Sequence, residues 1–131
     1  MIMINIPSHI VIWKKDGTSK KYALNFNRVK NLHGFEYNRI KEEFSKIVLP
    51  LLSNLPAYEK VELIYILFTG SGHKSDLMNW ISVVDKFFQD CLVQAGKLPD
   101  DNYVFVPQIK AIYGGIDKSN PRVQVEIKSL L

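Results

Sequence analysis

The chain has 131 residues, of which 47% are apolar and 23% are charged, and its formal net charge is +4. This composition is typical of one globular domain and excludes a largely disordered chain, while the single cysteine, Cys91, excludes an internal disulfide. No apolar run approaches the ~20 residues of a membrane-spanning helix, so no membrane partner is predicted. The N-terminus lacks the basic region and cleavage site of a signal peptide, so we expect a cytoplasmic protein. The positive charge is compatible with a polyanionic partner.

The first third of the chain predicts β-structure followed by a helix. Residues 3–13 (MINIPSHIVIW) favour strands interrupted at Pro7, and the basic turn KKDGTSKK (14–21) contains Asp16-Gly17, a hairpin signal. Residues 22–35 are polar and predicted to be irregular. From Glu36 to about Leu52 apolar residues recur at helical spacing: Tyr37, Ile40, Phe44, Ile47, Val48 and Leu51. The helix should end between Pro50 and Pro56.

A buried strand and a second helix follow. The nearly continuous apolar run VELIYILF (61–68) predicts a strand buried on both faces. A Gly/Ser loop then leads to a helix from about Asp76 to Ala95, which Gly96 should end. One face of this helix is apolar and consists of Leu77, Trp80, Ile81, Val84, Phe88, Cys91 and Ala95. We therefore expect the Cys91 thiol to be buried.

The C-terminal third predicts a turn and two strands. KLPDDN (97–102) is the turn, and YVFVPQIKAIYGG (103–115) is a strand in which Pro107 indicates an edge position or a bulge. NPRVQVEIKSL is a last strand of alternating character. The whole order predicts a single α/β (α+β) domain over residues 1–131, with a mixed β-sheet and two main helices packed on it.

The readable catalytic motifs of the commonest enzyme classes are missing from the sequence. No phosphate-binding glycine loop, zinc-protease helix, CxxC pair or serine-hydrolase elbow occurs. His9, His33 and His73 lack metal-ligand spacing, so ordinary surface or packing roles are expected for them.

Three aspartates allow two interpretations. Asp76 stands where a helix N-cap belongs, and Asp100 and Asp101 lie in a turn made of turn-forming residues. Alternatively, a cation relieves the repulsion between adjacent aspartates, and Mg²⁺ binds carboxylates together with water and phosphate. Asp76 also follows a buried strand and a glycine-rich loop, a common location for chemistry in α/β proteins.

The pattern D-L-x-N (76–79), a lysine-bearing helix ending in A-G (95–96) and then D-D (100–101) resembles the RusA family of Holliday-junction resolvases. The resemblance covers Lys74 to about Val106, with weaker echoes in Leu24-Asn25, Asn27-Arg28 and the terminal GGIDKSNPRVQVEI. It implies an α/β fold, a homodimer, Mg²⁺ (with Mn²⁺ as a substitute) and cleavage of branched DNA by paired nicks. Many members are encoded by phages and prophages, so a bacterial host cell is implied.

The resemblance also implies roles for individual residues. Catalysis would fall to Asp76, Lys86 and Asp101, and metal binding to Asp76, Asp100 and Asp101. An ungapped alignment puts Ser82 at the lysine position, whereas a gap of one helical turn puts Lys86 there. Basic residues, with the motif asparagine, would contact DNA phosphates without sequence choice: Lys14, Lys15, Lys20, Lys21, Arg28, Lys30, Lys74 and Asn79.

The sequence departs from the family pattern at Met78, which stands where the second motif aspartate is expected. A thioether is a poor ligand for Mg²⁺, and neither Asp85 nor Asp90 falls at a convincing position to replace the carboxylate. Three functions remain open: a Mg²⁺-dependent endonuclease that resolves Holliday junctions, a RusA-fold protein that binds branched DNA without cutting it, or a small protein with an unrelated interaction role.

Overall fold

The computed structural model describes residues 2–130, which form an α+β fold. A mixed four-stranded sheet and a separate two-stranded sheet carry two main helices. The strands are β1 (Ile2–Ile6), β2 (His9–Trp13), β3 (Ser19–Ala23), β4 (Val61–Thr69), β5 (Gln108–Ile116) and β6 (Arg122–Ser129). The helices are α1 (Phe26–Val29), α2 (Gly34–Leu52) and α3 (Leu77–Gln94).

The four-stranded sheet has the order β1-β6-β4-β5. Strand β4 runs parallel to β5 and antiparallel to β6, and β6 is antiparallel to β1. Strand β5 is therefore an edge strand, and its register with β4 shifts between Leu67 and Phe68. Pro107, immediately before β5, predicted an edge position or a bulge, and this prediction is confirmed.

The core lies between α2, α3 and one face of the main sheet. Rings of Phe44 and Phe87 meet edge-on at 5.5 Å between centroids, and Tyr65 of β4 meets Phe88 in the same way at 6.3 Å. Cys91 is buried, as predicted. The two main helices occur where apolar periodicity predicted them, and α2 ends at Leu52, between the two prolines.

The strand predictions need two corrections. Strand β4 is fully buried on only one face, because α3 packs against the face that bears Tyr65. On its other face Ile66 and Phe68 are only half-buried, although Arg122 stacks over the Phe68 ring at 4.2 Å. Strand β5 begins at Gln108, and the preceding residues, predicted as strand, form a turn in which Phe105 donates its N–H to the Asn102 carbonyl.

The segment predicted to be irregular contains regular structure. Strand β3 extends to Ala23 because it pairs with β2 in a hairpin, with Gly17 at φ 87° in the turn. Helix α1 is one turn long and begins at an Asn25 cap, whose side chain accepts the Asn27 N–H at 2.9 Å. Along α2, Ile47 and Leu51 belong to the predicted apolar set but are exposed. Within residues 2–130, no helix is long and apolar enough to cross a membrane.

Candidate nucleic-acid site

A cleft of about 680 Å³ lies at the carboxyl end of β4, next to the first turn of α3. Loops that follow strands converge at such an edge, which is where open α/β sheets bind ligands. Five further parts of the chain meet β4 and α3 there: the start of β2, the end of β3, α1, the loop of residues 70–76 and the β5–β6 turn. Residues distant in sequence therefore share one concave surface.

The cleft collects many of the residues that the sequence predicted to contact DNA. Those that line it are Lys21, Arg28, Lys74 and Asn79, together with Asp76. Lys118, from the β5–β6 turn, adds another cation. A concave surface lined by cations attracts phosphates and raises the rate of encounter with a polyanion.

Asp76 occupies the N-cap position of α3 but does not cap it. Its backbone is extended (φ −71°, ψ 129°), and its side chain accepts no capping hydrogen bond. Only its carbonyl joins the helix, by accepting the Asn79 N–H at 3.1 Å. Ser75, the residue before it, accepts the Trp80 indole N–H at 2.9 Å. The Asp76 carboxylate is thus exposed in the cleft without a capping role.

Lys86 and Asp101 meet elsewhere along α3. The Lys86 Nζ donates to Asp101 Oδ2 at 3.4 Å and to Asp90 Oδ1 at 3.3 Å. Because a helix rises 1.5 Å per residue, Lys86 lies about 15 Å along the axis from Asp76. Asp101 is therefore paired with a lysine at the middle of the helix, away from the cleft.

The carboxylates around Lys86 are held by protein partners. Burial raises the pKa of Asp85, even though Tyr65 donates to its Oδ1 at 2.6 Å and Gln89 does so at 2.8 Å. Burial also disfavours the charged form of Asp90, but the lysines beside it hold the pKa of Asp90 below its usual value. One of these is Lys41, 2.7 Å away. The pKa of Lys86 is raised, chiefly by its hydrogen bond to Asp90, so it stays cationic.

Asp100 stabilises its own turn. Its Oδ1 accepts the Asp101 N–H at 2.8 Å, and its Oδ2 accepts an Asn102 amide hydrogen at 3.1 Å. These bonds, first of all the one from the Asp101 backbone, lower the pKa of Asp100. The adjacent aspartates therefore have local partners, as the turn interpretation expects.

The fit of this site to Mg²⁺ depends on what completes the coordination. In the described part of the chain, no three His, Cys, Asp or Glu side chains are grouped to hold a metal ion. Asp76 provides one carboxylate in the cleft, while Met78 is exposed and carries no oxygen. Mg²⁺ is commonly held by one or two carboxylates plus substrate phosphates and water. The residues present fit a Mg²⁺ ion that arrives with a phosphate, and not a preformed three-carboxylate cage.

The remaining predicted DNA-contact residues lie outside the cleft. Lys14, Lys15 and Lys20 belong to the β2–β3 hairpin, where Lys20 lies 4.9 Å from the centre of the Tyr22 ring. A groove of about 710 Å³ runs along α3 beside the cleft, and its lining includes Lys30, Met78, Asn79, Ser82 and Lys86. Asn79 lines both the cleft and this groove. Both candidates for the family lysine, Ser82 and Lys86, thus face the same groove.

Sequence reasoning missed several cleft residues. His9 packs its ring 5.4 Å from that of Trp80, and burial, followed by the charge of Lys21, lowers its pKa. His73 also lines the cleft, whereas His33 is the N-cap of α2 and accepts the Phe35 N–H at 3.3 Å. Their positions depend on which loops meet at the end of β4, and histidine spacing along the chain carries no such signal.

No protein-family model matches the chain, and a search of curated proteins finds no match to it.

Proposed function

We propose that the chain is a structure-specific endodeoxyribonuclease of the RusA type, which binds four-way DNA junctions in the basic cleft and cuts them with Mg²⁺. The observation that carries this proposal is the meeting of Lys21, Arg28 and Lys74 with the uncapped Asp76 in one cleft. The cations are suited to the phosphates of a DNA strand, and the carboxylate is suited to holding a Mg²⁺ ion.

The first turn of α3 supports phosphate binding. Its backbone N–H groups are not satisfied by the Asp76 side chain, and the positive end of a helix dipole favours anions. Asp76 alone would repel a phosphate placed there. Asp76 would hold a Mg²⁺ ion, whose positive charge would offset that repulsion, so the proximity of Asp76 to basic residues favours a metal-assisted site.

The chemistry would be in-line hydrolysis of a phosphodiester. A bound Mg²⁺ supplies a more acidic water and charge neutralisation at the phosphate. Arg28 and Lys74 would hold the DNA backbone in register in the cleft, and Asn79 would orient the phosphate from the first turn of α3. Lys86, cationic and exposed in the adjoining groove, would neutralise charge that develops on the strand there. In this assignment Asp100 and Asp101 act from the turn that holds Lys86, as orienting residues.

A homodimer is part of the proposal. A four-way junction has approximate two-fold symmetry, and an isologous dimer would present two clefts to it.

Binding without cleavage is the second candidate function. It is favoured by Met78 in the position of the motif aspartate and by the Lys86–Asp101 pair, which keeps Asp101 away from Asp76. Such a protein would use the same cleft and the same basic residues, and its ligand would again be branched DNA.

Nicking of a synthetic four-way junction separates the two functions. The wild-type chain, Asp76→Asn and Asp101→Asn are compared in Mg²⁺ and in Mn²⁺, with a linear duplex of equal length as the control DNA. We expect the wild type to nick the junction near its centre, Asp76→Asn to bind but not nick, and Asp101→Asn to retain part of the activity. Tight, salt-sensitive binding without nicking would establish the second function instead, and equal weakness toward junction and duplex would refute both.

A further inference from the structure

The outer face of the β2–β3 hairpin continues the basic cleft. Side chains alternate between the two faces of paired strands, and Val11 stands opposite Lys21 in the register. His9 and Lys21 line the cleft. Val11 and Trp13 are the second and fourth residues after His9 on β2, so their side chains lie on the same face as His9 and extend that face away from the cleft. The hairpin thus offers a surface that leads from the cleft to its tip.

Trp13 ends this surface as a free aromatic ring. It is 65% exposed, whereas Ile10, on the opposite face of β2, is almost completely buried against the body of the protein. Its backbone pairs with Ser19 in the hairpin, and its carbonyl accepts a long hydrogen bond from Arg39 at 3.4 Å. Four residues of extended strand place Trp13 about 13 Å from His9. The indole is therefore positioned beyond the cleft and takes no part in the core.

The charges around the tip select a polyanion as the partner. Lys21 shares the face of Trp13 and Lys15 lies in the turn beside it, whereas Lys14 and Lys20 line a groove on the opposite face of the hairpin. The neighbouring carboxylates are engaged within the protein, since Asp16 accepts from the Thr18 hydroxyl at 2.6 Å and Glu36 accepts from the Tyr22 hydroxyl at 2.5 Å. A tryptophan among available lysines has the composition of a surface that stacks bases and holds the phosphates that join them.

We propose that Trp13 stacks on a base left unstacked at the branch point, on the DNA strand that leaves the cleft along the hairpin. This inference rests on the proposed function, because it requires DNA in the cleft, and it names unstacked nucleotides as the feature of branched DNA that the protein recognises. Every base has a π-face, so the contact selects for the branch and not for a sequence. A continuous duplex offers no such free face.

The experiment uses a forked duplex with one single-stranded arm and a blunt duplex of the same length. We expect Trp13→Leu, which keeps an apolar group but removes the ring, to weaken fork binding roughly tenfold, and Trp13→Phe to stay within about threefold of wild type. Neither variant should change blunt-duplex binding. Tyr103→Leu removes an aromatic that is 83% exposed at another site, and it should bind both DNAs as the wild type does. Fork binding should quench tryptophan fluorescence in the wild type and quench it much less in Trp13→Phe.

The outcomes distinguish this inference from the function on which it rests. If Arg28→Ala with Lys74→Ala weakens fork binding while Trp13→Leu binds like the wild type, the stacking proposal is wrong and the cleft proposal stands. If the wild type binds the fork no better than the duplex but prefers a four-way junction to the duplex, the stacking proposal fails and the cleft proposal stands. If it prefers neither branched DNA to the duplex, both proposals fail. A Trp13→Leu loss of equal size on fork and duplex would also overturn stacking on an unstacked base at the branch.

Discussion

Lys86 donates a hydrogen bond to Asp101 across 3.4 Å, on the flank of α3 and about 15 Å along the helix from Asp76. The lysine and the second member of the acidic pair that the sequence singled out are therefore neighbours. Asp76, the other residue of the predicted catalytic set, lies in the basic cleft at the start of the same helix. The predicted site is divided between the cleft and the adjoining groove.

Lys86 should contribute more to the rate of DNA nicking than to the free energy of unfolding. Lys86 is more than half exposed, and exposed pairs contribute up to about 1 kcal/mol. We expect Lys86→Ala to lower the free energy of unfolding by less than ~1 kcal/mol and to reduce the rate of junction nicking by about 10²-fold. Denaturant unfolding and single-turnover nicking measure the two effects. Lys46→Ala, which removes the Lys46–Glu43 pair of α2, should match it in stability and leave nicking unchanged. Equal nicking by both variants would remove Lys86 from the mechanism.

Asp76 should be nearly neutral for stability because its side chain caps nothing. A working N-cap contributes about 1 kcal/mol. At salt high enough to screen the helix dipole, we expect Asp76→Ala to change the free energy of unfolding by less than ~0.5 kcal/mol. Asn25→Ala, which removes the side chain that caps α1, should lower it by about 1 kcal/mol. A loss at Asp76 as large as that at Asn25 would return Asp76 to an ordinary capping role.

Asp85 predicts a specific pH dependence of stability. Because burial raises its pKa, the folded chain binds this proton more tightly than the unfolded chain. Its contribution to stability is therefore fully present below the ordinary carboxyl pKa and declines as the pH rises through the raised value. Asp85→Asn removes the decline and can still accept hydrogen bonds from Tyr65 and Gln89. We expect the variant to gain stability relative to wild type as the pH rises above the ordinary carboxyl pKa of about 4.

Asp16 should affect the pH dependence of stability in the opposite direction to Asp85. Hydrogen bonds from the Thr18 side chain and backbone lower the pKa of Asp16. Its contribution is present above the ordinary carboxyl pKa and disappears as the pH falls through the lowered value. Asp16→Asn should therefore lose stability relative to wild type as the pH rises, the reverse of Asp85→Asn. Parallel behaviour of the two variants in urea titrations would contradict both assignments.

The long periodic elements were predictable from sequence, because burial of one helix face or of a central strand dictates residue type directly. Helices α2 and α3 and strands β4 and β6 follow that rule. Strand β3 was harder to predict, since it is rich in lysine and polar residues and forms by pairing with β2. Whether β4 is covered on one face or on both depends on where α3 packs, and no local sequence pattern encodes that position.

The candidate site was predictable in part. The sequence singled out Arg28, Lys74, Asp76 and Asn79, and these residues do line one cleft. The pairing of Lys86 with Asp101 and the absence of a cap at Asp76 depend on side-chain directions and on the course of the turn after α3. The sequence did not single out Trp13, because its place beside the cleft depends on the hairpin register and on the exposure of its ring.

The central claim is that the basic cleft binds branched DNA, and the affinity of the chain for a four-way junction at a series of salt concentrations tests it most directly. We expect the wild type to prefer the junction to a linear duplex, and Arg28→Ala with Lys74→Ala to bind it more weakly. The slope of log affinity against log salt should fall by about 2 in that variant, since two phosphate contacts are lost. Lys128→Ala, which removes an exposed lysine opposite Glu62 at the far end of β4, should keep the wild-type slope. An unchanged slope in the double variant, or equal affinity of the wild type for junction and duplex, would contradict the claim.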